Sequence, residues 1–473
     1  MSIDLSPEEF RQLGYRIVDM LAERLAAVRD MPVRQPVPLE LREKLMHEPL
    51  PAEGAEPSQL IDRVVEEVLA YPMGNNSPRF FAWVNSPSAP LAWLADLLAA
   101  AHNASVAGGD HAATYVEHGV LNWLKTIMGY PQGSMGLLAS GGSVANIIAL
   151  AVMRHVKSTG NMRAQGFNGG AAPMVVYTST QGHSCITKAV ELLGIGHEYL
   201  RKIPTDSEYR FDVPKLRAQI AADRAAGLRP VCVVASAGTV NTGAIDPLDE
   251  LADLCEQQGL WFHIDGAYGG LGILAEQTRD MFKGIERADS LAVDPHKWMY
   301  VPVECGCVFV RDPQAMRDTF SVMPPYLRDD RALPWFSEFG VQQTRGFKAL
   351  KLWLMLQQIG ENGYRELITH DVAMAHALQT KIRARDDFQL IAAGPLSVTC
   401  FRYAPQGVED VVTLNKQLVT KVQSEGQAFL TGTELDGAYA LRACIVNFRT
   451  TEADLDRLLE VIADAGQRVL VQI

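Results

Sequence analysis

Ser290-Leu291-Ala292-Val293-Asp294-Pro295-His296-Lys297-Trp298 sets one lysine between a short apolar run and a tryptophan, next to a histidine. Residues 290–293 include β-branched Val293 and predict a buried strand, which Pro295 ends because proline cannot donate to a ladder. Lys297 therefore falls just beyond a strand end, where α/β folds concentrate their chemistry. Partial loss of hydration there lowers an amine's pKa and makes Lys297 a candidate Schiff-base nucleophile. The alternative is a surface lysine after a turn, and these nine residues alone do not choose.

Working outward, further Val- and Ile-rich runs occur at residues 174–178, 230–234, 260–264 and 306–310, with helical stretches such as 144–156 and 247–257 between them. From about Leu91 this alternation predicts βα units and an α/β fold with a mostly parallel sheet. From about Phe347 the pattern changes to long helix, then strands near 399–403 and 439–446 mixed with helices, a smaller α+β domain. Ahead of the sheet, Ser6-Pro7-Glu8-Glu9 reads as a capped helix start with a capping box. Phe10, Leu13, Ile17, Met20, Leu21 and Leu25 follow on one apolar face. Beyond Pro32, Pro36 and Pro38 a second amphipathic helix runs through Leu60, Ile61, Val64, Val65, Val68 and Leu69. Such an arm needs another surface, and a second copy of the chain is the expected partner. The expected division is a helical arm and dimerisation segment over 1–85, a large domain over 86–345 and a small domain over 346–473.

The 473 residues are 48% hydrophobic and 21% charged, enough to build a large core. A net charge of −12, with no basic run interleaved with aromatics, argues against nucleic acid and anionic membranes and toward small-molecule chemistry. No apolar run is long enough to span a bilayer, and the first ten residues show no secretory signal. Seven cysteines, an odd number and scattered, suit reduced thiols in a cytoplasm. Cys305 and Cys307 form a C-x-C without a second pair.

Four other stretches carry chemistry. Ala139-Ser140-Gly141-Gly142-Ser143-Val144-Ala145-Asn146 leads into an apolar helix, and its glycines and hydroxyls at a helix N-terminus suit a phosphate or simply cap the helix. Trp261-Phe262-His263-Ile264-Asp265-Gly266-Ala267-Tyr268 is an apolar strand ending in a carboxylate that needs a cationic partner. A protonated pyridine nitrogen suits Asp265, with Ala267 small enough for a flat ring; a turn-capping aspartate is the alternative. Thr178-Ser179-Thr180-Gln181-Gly182-His183-Ser184 puts a histidine at another strand exit, where it could stack on a ring. Ala235-Ser236-Ala237-Gly238-Thr239 ends a fourth strand in small residues. His263, Asp265 and His183 could instead form a metal-hydrolase site, and a non-catalytic scaffold is a further alternative.

Taken in order, Gly141-Gly142-Ser143, Gln181-Gly182-His183-Ser184, His263-Ile264-Asp265-Gly266-Ala267-Tyr268 and Asp294-Pro295-His296-Lys297-Trp298 resemble the pyridoxal-phosphate group II amino-acid decarboxylases, nearest their aromatic L-amino-acid branch. The likeness covers nearly the whole chain, including the arm and Pro78-Arg79-Phe80-Phe81-Ala82-Trp83. It implies a fold-type I, aspartate-aminotransferase-like homodimer with pyridoxal 5'-phosphate as cofactor. The expected reaction takes an L-amino acid to the amine and carbon dioxide through an external aldimine and a quinonoid. The resemblance makes Lys297 the cofactor-linking lysine, Asp265 the partner of the pyridine nitrogen and His183 the ring-stacking residue near the substrate carboxylate. Gly142, Ser143, Asp294 and His296 fall where the family holds the phosphate, and Thr239 and Ala267 lie near the ring.

Met323-Pro324-Pro325-Tyr326-Leu327-Arg328-Asp329-Asp330 is polar and proline-marked, as an active-site lid is. The resemblance makes Tyr326 the donor that returns a proton to the substrate carbon. Relatives that oxidise the intermediate to an aldehyde differ at this tyrosine or at the histidine, so the pair favours simple decarboxylation. Departures concern the substrate pocket, expected at Phe81, Trp83, Val84, Asn85 and Thr344. Trp83-Val84-Asn85-Ser86 replaces a more usual Tyr-Phe-Pro-Thr, Ser105 to Asp110 lacks the aromatic expected from the partner chain, and the loop between Tyr326 and Arg345 is shorter than in animal relatives. Asp294 replaces an asparagine and Val240 a threonine. An aromatic substrate is expected, with aliphatic or other amino acids behind it.

Overall fold

The computed structural model describes residues 3–167, 172–322 and 333–471. Its centre is a seven-stranded sheet of β1 (Met135–Ala139), β2 (Met174–Ser179), β3 (Leu200–Ile203), β4 (Arg229–Ser236), β5 (Trp261–Gly266), β6 (Ser290–Val293) and β7 (Gly306–Val310), in the order β1-β7-β6-β5-β4-β2-β3. β3, β2, β4, β5 and β6 pair in parallel, and β7 runs antiparallel to both neighbours. Every residue of β2, β5, β6 and β7 is buried. Helices cover both faces of such a sheet, which explains continuous apolar runs in place of alternation.

The register decides where the motifs meet. Ser236 of β4 lies opposite Asp265 of β5, which lies opposite Ala292 of β6. Val293 of β6 faces Cys307 at the start of β7, and Gly306 faces Ala139 at the end of β1. The carboxyl ends of β1, β2, β4, β5 and β6 thus share one edge, and each is followed by one of the chemistry-bearing stretches.

A long helical segment, Ala349–Arg383, interrupted at Gly360 with φ 66°, leads into a second sheet. That sheet is antiparallel, with β8 (Phe388–Ala393), β9 (Val398–Tyr403), β10 (Thr431–Leu435) and β11 (Ala438–Cys444) in the order β10-β11-β9-β8. Helices Val411–Glu425 and Glu452–Leu470 pack on it around Leu414, Leu418, Leu458 and Ile462. At the other end of the chain, helix Pro7–Ala27 starts with the expected capping box: Glu9 N donates to Ser6 Oγ at 3.2 Å and Ser6 N to Glu9 Oε2 at 2.9 Å. Helices Pro7–Ala27, Leu39–His47 and Pro57–Val64 bury none of their residues fully. Among the described residues no helix is long and apolar enough to cross a membrane. All seven cysteines are buried and unpaired.

Candidate active site

Lys297 lies in the helical turn Pro295–Trp298 directly after β6. That turn is anchored from below: Trp298 Nε1 donates to Asp371 Oδ2 at 2.8 Å, Tyr300 Oη donates to the same oxygen, and Asp371 is fully buried in the Ala349–Arg383 segment. Lys297 Nζ lies 2.9 Å from Asp294 Oδ2, and its side chain is 20% exposed. Loss of hydration alone predicts a lowered amine pKa, and the structure corrects this. Burial does pull it down, but the charge and hydrogen bond of Asp294, with Asp265 and Cys185 behind, pull harder, and the net shift is upward.

Asp265, the penultimate residue of β5, is 8% exposed and accepts from Ala267 N at 3.2 Å. The Cys185 thiol approaches its other oxygen at 3.9 Å, and burial pushes that thiol's pKa up. Behind it a donor chain crosses the sheet: Trp261 Nε1 donates to Ser290 Oγ at 2.8 Å, and the Ser290 hydroxyl reaches His263 Nδ1 at 2.9 Å. His263 Nε2 meets Asn146 Oδ1 at 2.6 Å, and Asn146 Nδ2 donates to Gly142 O at 2.8 Å and Cys185 Sγ at 3.4 Å. Burial lowers the His263 pKa to about 4, against the pull of Asp265, so the ring is neutral. Both its nitrogens are engaged, which removes His263 from the metal reading; among the described residues no three His, Cys, Asp or Glu side chains come together to hold an ion.

His183 caps helix Ser184–Leu192, its Nδ1 accepting from Cys185 N at 3.2 Å, so any ring proton sits on Nε2. Burial lowers its pKa, and Lys297 adds to that while Asp265 opposes it. His296 is tied back through Nδ1, 2.8 Å from Cys305 O, and lies with Nε2 3.8 Å from Asp294 Oδ2. Thr239 N and Ala244 O bond at 2.8 Å across a tight turn in which Gly238 adopts φ 100°; a Cβ there would lie 2.7 Å from the Gly269 Cα.

Gly142, Ser143, His183, Thr239, Asp265, Ala267, Asp294, His296 and Lys297 all line one cavity of about 380 Å³. Sequence reasoning named these nine and missed Asn146, Gln181, Cys185, Ser236, Tyr268 and Glu304 on the same wall. Asn146 lies in the glycine-rich stretch one turn past Gly142, and Cys185 lies two residues past His183, one residue beyond that histidine's stretch. The cavity adjoins an outer cleft of about 520 Å³ that shares His183, Val240 and Lys297 and adds Trp83, Val84, Asn85, Val419 and Arg442. Arg442 bonds Val240 O through Nε at 2.8 Å and Trp83 O through Nη1 at 3.0 Å, fixing the rim. Two expected pocket residues are elsewhere. Phe81 is fully buried in the core of the second sheet, because its backbone pairs with Phe429 and Cys444 and turns the ring inward. Thr344 is exposed and lines neither space. Tyr326 and the stretch around it lie outside the described residues.

The donor set fits pyridoxal phosphate. The first-turn amides of the 16-residue helix Gly142–Lys157 have no intrahelical partner and, with Ser143 and His296 beside them on the cavity wall, suit an anion. Gly142 is needed for that close approach, since a Cβ there would lie 2.7 Å from the Ala267 Cβ and 2.8 Å from Asp294 Oδ2. A buried carboxylate at one point of the wall and an amine at another match a ring nitrogen and an aldehyde.

This sheet, with a lysine, an aspartate and a helix start converging on its carboxyl edge, has the architecture of the fold-type I class. Residues 38–404 match the pyridoxal-dependent decarboxylase conserved domain. The chain belongs to that family and is a pyridoxal-phosphate-dependent carboxy-lyase. It is 35% identical over 481 residues to an aromatic-L-amino-acid decarboxylase of Bacillus atrophaeus, covering 99% of this chain and 98% of that one. It is 28% identical to a phenylacetaldehyde synthase of a Rosa hybrid cultivar, covering 98% and 95%. The crystal structure of Catharanthus roseus tryptophan decarboxylase in complex with L-tryptophan superposes with a TM-score of 0.90 at 27% identity, covering 99% of this chain and all of that one.

Proposed function

We propose that this protein decarboxylates an aromatic L-amino acid to its amine and carbon dioxide, with Lys297, Asp265 and His183 as the central groups. The observation that carries the reading is the convergence of these three side chains and the Gly142–Ser143 turn on one cavity, opening onto a cleft bordered by Trp83, Val84, Val240 and Val419. Those four side chains give the cleft an apolar face suited to an aromatic ring.

Bound pyridoxal phosphate supplies the electron sink for the pair left when the bond from Cα to the carboxylate breaks. Lys297 links the cofactor. Asp265 would pair with its ring nitrogen and hold a proton there, an electrostatic support for developing charge. His183 and Ala267, both on the cavity wall, would flank the ring, with His183 also near the substrate carboxylate. Gly142, Ser143 and His296 would hold the phosphate, with Asp294 at that end of the site and Thr239 beside the ring. Tyr326 returns the proton to Cα, an assignment that rests on the sequence resemblance. The arm pairs two copies into a homodimer, supported by its unburied helices. The unpaired cysteines support a cytoplasmic location. The division into 1–85, 86–345 and 346–473 agrees with the large sheet lying between Met135 and Val310 and the small one between Phe388 and Cys444.

The test is a substrate panel. Purified protein, absorbing near ~420 nm from the lysine imine, is supplied with tryptophan, tyrosine, phenylalanine, leucine and glutamate, and amine and aldehyde are measured. Amine from the aromatic members alone supports the proposal, and turnover confined to leucine or glutamate overturns the substrate assignment. Aldehyde as the main product would favour a second reading, for which the likeness to phenylacetaldehyde synthase speaks. Tyr326→Phe is expected to slow amine release at least about tenfold or divert product to aldehyde; unchanged amine turnover removes Tyr326 from the mechanism.

A further inference from the structure

Asp294 is a strange neighbour for a phosphate. Its side chain is 2% exposed, and its Oδ1 finds no hydrogen-bond partner among the described residues. Glycines wall it in: a Cβ at Gly142 would lie 2.8 Å from Oδ2, and one at Gly306 would lie 2.8 Å from Oδ1. A carboxylate so confined is costly unless a cation meets it. One does, the Lys297 amine at 2.9 Å, with His296 Nε2 next nearest at 3.8 Å.

We propose that Asp294 is the parking site of the Lys297 amine, holding it as an ammonium whenever it is not joined to the cofactor. The inference rests on Lys297 being the attachment point. Two consequences follow from the geometry. The ion pair neutralises a carboxylate that would otherwise repel the incoming phosphate, and it makes covalent capture of the cofactor depend on releasing a proton. In that capture the ammonium loses one proton, and the freed lone pair forms the C–N bond to the aldehyde carbon. The aldehyde oxygen leaves as water with the two remaining amine protons, and the first proton returns to the imine nitrogen. When the amine leaves, His296 is the group placed to face Asp294 in its stead. Asp294 is a positioning residue in this scheme, acting through Lys297.

The other charged or titratable groups around the amine are few. Asp265 faces it from β5, Cys185 and His183 from the start of helix Ser184–Leu192, with Lys188 acting on His183, and His296 from its own turn. Glu304 also lines the cavity but is paired with Lys348 at 3.1 Å. Asp294 is the one carboxylate within ion-pair distance of Lys297 among the described residues.

The test follows cofactor loading and needs no turnover. Enzyme stripped with hydroxylamine is mixed with pyridoxal phosphate, and growth of the band near ~420 nm is timed from pH 6 to 9 for wild type and Asp294→Asn, with Lys297→Ala as control. Parking predicts that wild-type loading accelerates steeply with pH, and that Asp294→Asn loads at least about tenfold faster at pH 7 with a flatter profile. Profiles of the same shape overturn the proposal, as does Asp294→Asn loading more slowly throughout. A band retained by Lys297→Ala overturns the attachment point instead. If Asp294→Asn does not fold, the wild-type apoenzyme still decides. Acetylation of Lys297, read by mass spectrometry, is expected to climb with pH past the ordinary lysine value near ~10.4, and a plateau below it overturns parking.

Discussion

Asp265 touches little that is strongly polar in the protein, accepting one backbone hydrogen bond and meeting one thiol, which leaves capacity for a ring nitrogen. Asp265→Asn keeps the shape and removes the charge. We expect a fall in kcat of at least about 100-fold with the cofactor band retained, measured by amine release beside the absorption spectrum; near-wild-type kcat would end the assignment. The meeting of Lys297, Asp265 and His183 on one cavity was legible, because each lies at or just past the carboxyl end of a strand in a stretch of distinctive composition. The direction of the Lys297 pKa was not, because burial argues downward while Asp294, three residues earlier and one helical turn away, argues upward. That i, i+3 spacing was the available signal. Phe81 misled for a different reason, since a buried aromatic and a pocket aromatic look alike until the backbone partner is known.

Among the elements, the turn that carries Lys297 owes its place to Asp371. Burial raises the Asp371 carboxyl to about 7, while the Tyr300 and Trp298 donors oppose that shift. A carboxyl whose folded pKa exceeds its unfolded one stabilises the fold fully below the unfolded value near ~3.9, and that stabilisation is lost as pH rises through the folded value. Thermal midpoints measured from pH 5 to 8 should therefore fall with pH, and Asp371→Asn should remove part of the fall; parallel curves would contradict this. Asp371→Ala, which strands both donors, should cost about 2–4 kcal/mol. Gly142→Ala places a methyl against Ala267 and Asp294 and is expected to cost about 1–3 kcal/mol. Its clearer signature is weaker cofactor binding, by at least about tenfold in a titration near ~420 nm. The sequence shows β6 and β7 at their observed bounds but hides β1 and β3. Met135-Gly136-Leu137-Leu138-Ala139 has no β-branched residue, and Leu200-Arg201-Lys202-Ile203 is half charged, as an edge strand can be. The reversal of β7 leaves no mark in composition, being set by the short path back from β6.

For the molecule as a whole, the arm is the unfinished part. Phe10, Ile17, Leu39, Leu60 and Val64 remain exposed on its helices, and Leu94, Leu97 and Leu98 line up on the helix Pro90–His102. Large apolar side chains exposed in such number are costly to leave in water. Deleting residues 1–70 should yield a species that sediments as a monomer and loses nearly all activity, whereas wild type should sediment as a dimer at micromolar concentration. A wild-type monomer with full activity would rule out the dimer. The two sheets were legible because periodicity changes along the chain near Leu91 and Phe347. Which way the arm's apolar faces turn was not, since amphipathic spacing specifies that a face is covered but never by what.

The seven concealed thiols give the molecule an internal stopwatch. None is paired and none is exposed, so a thiol reagent should find the native protein silent and react only as parts of it open. Cys400 and Cys444 sit in the second sheet, Cys232 and Cys307 in the first, and Cys185 on the cavity wall. In mild denaturant the order in which these sulfurs become labelled would chart which layer gives way first. Slower labelling of Cys185 alone, after cofactor is added, would record occupancy of the cavity without any catalytic readout.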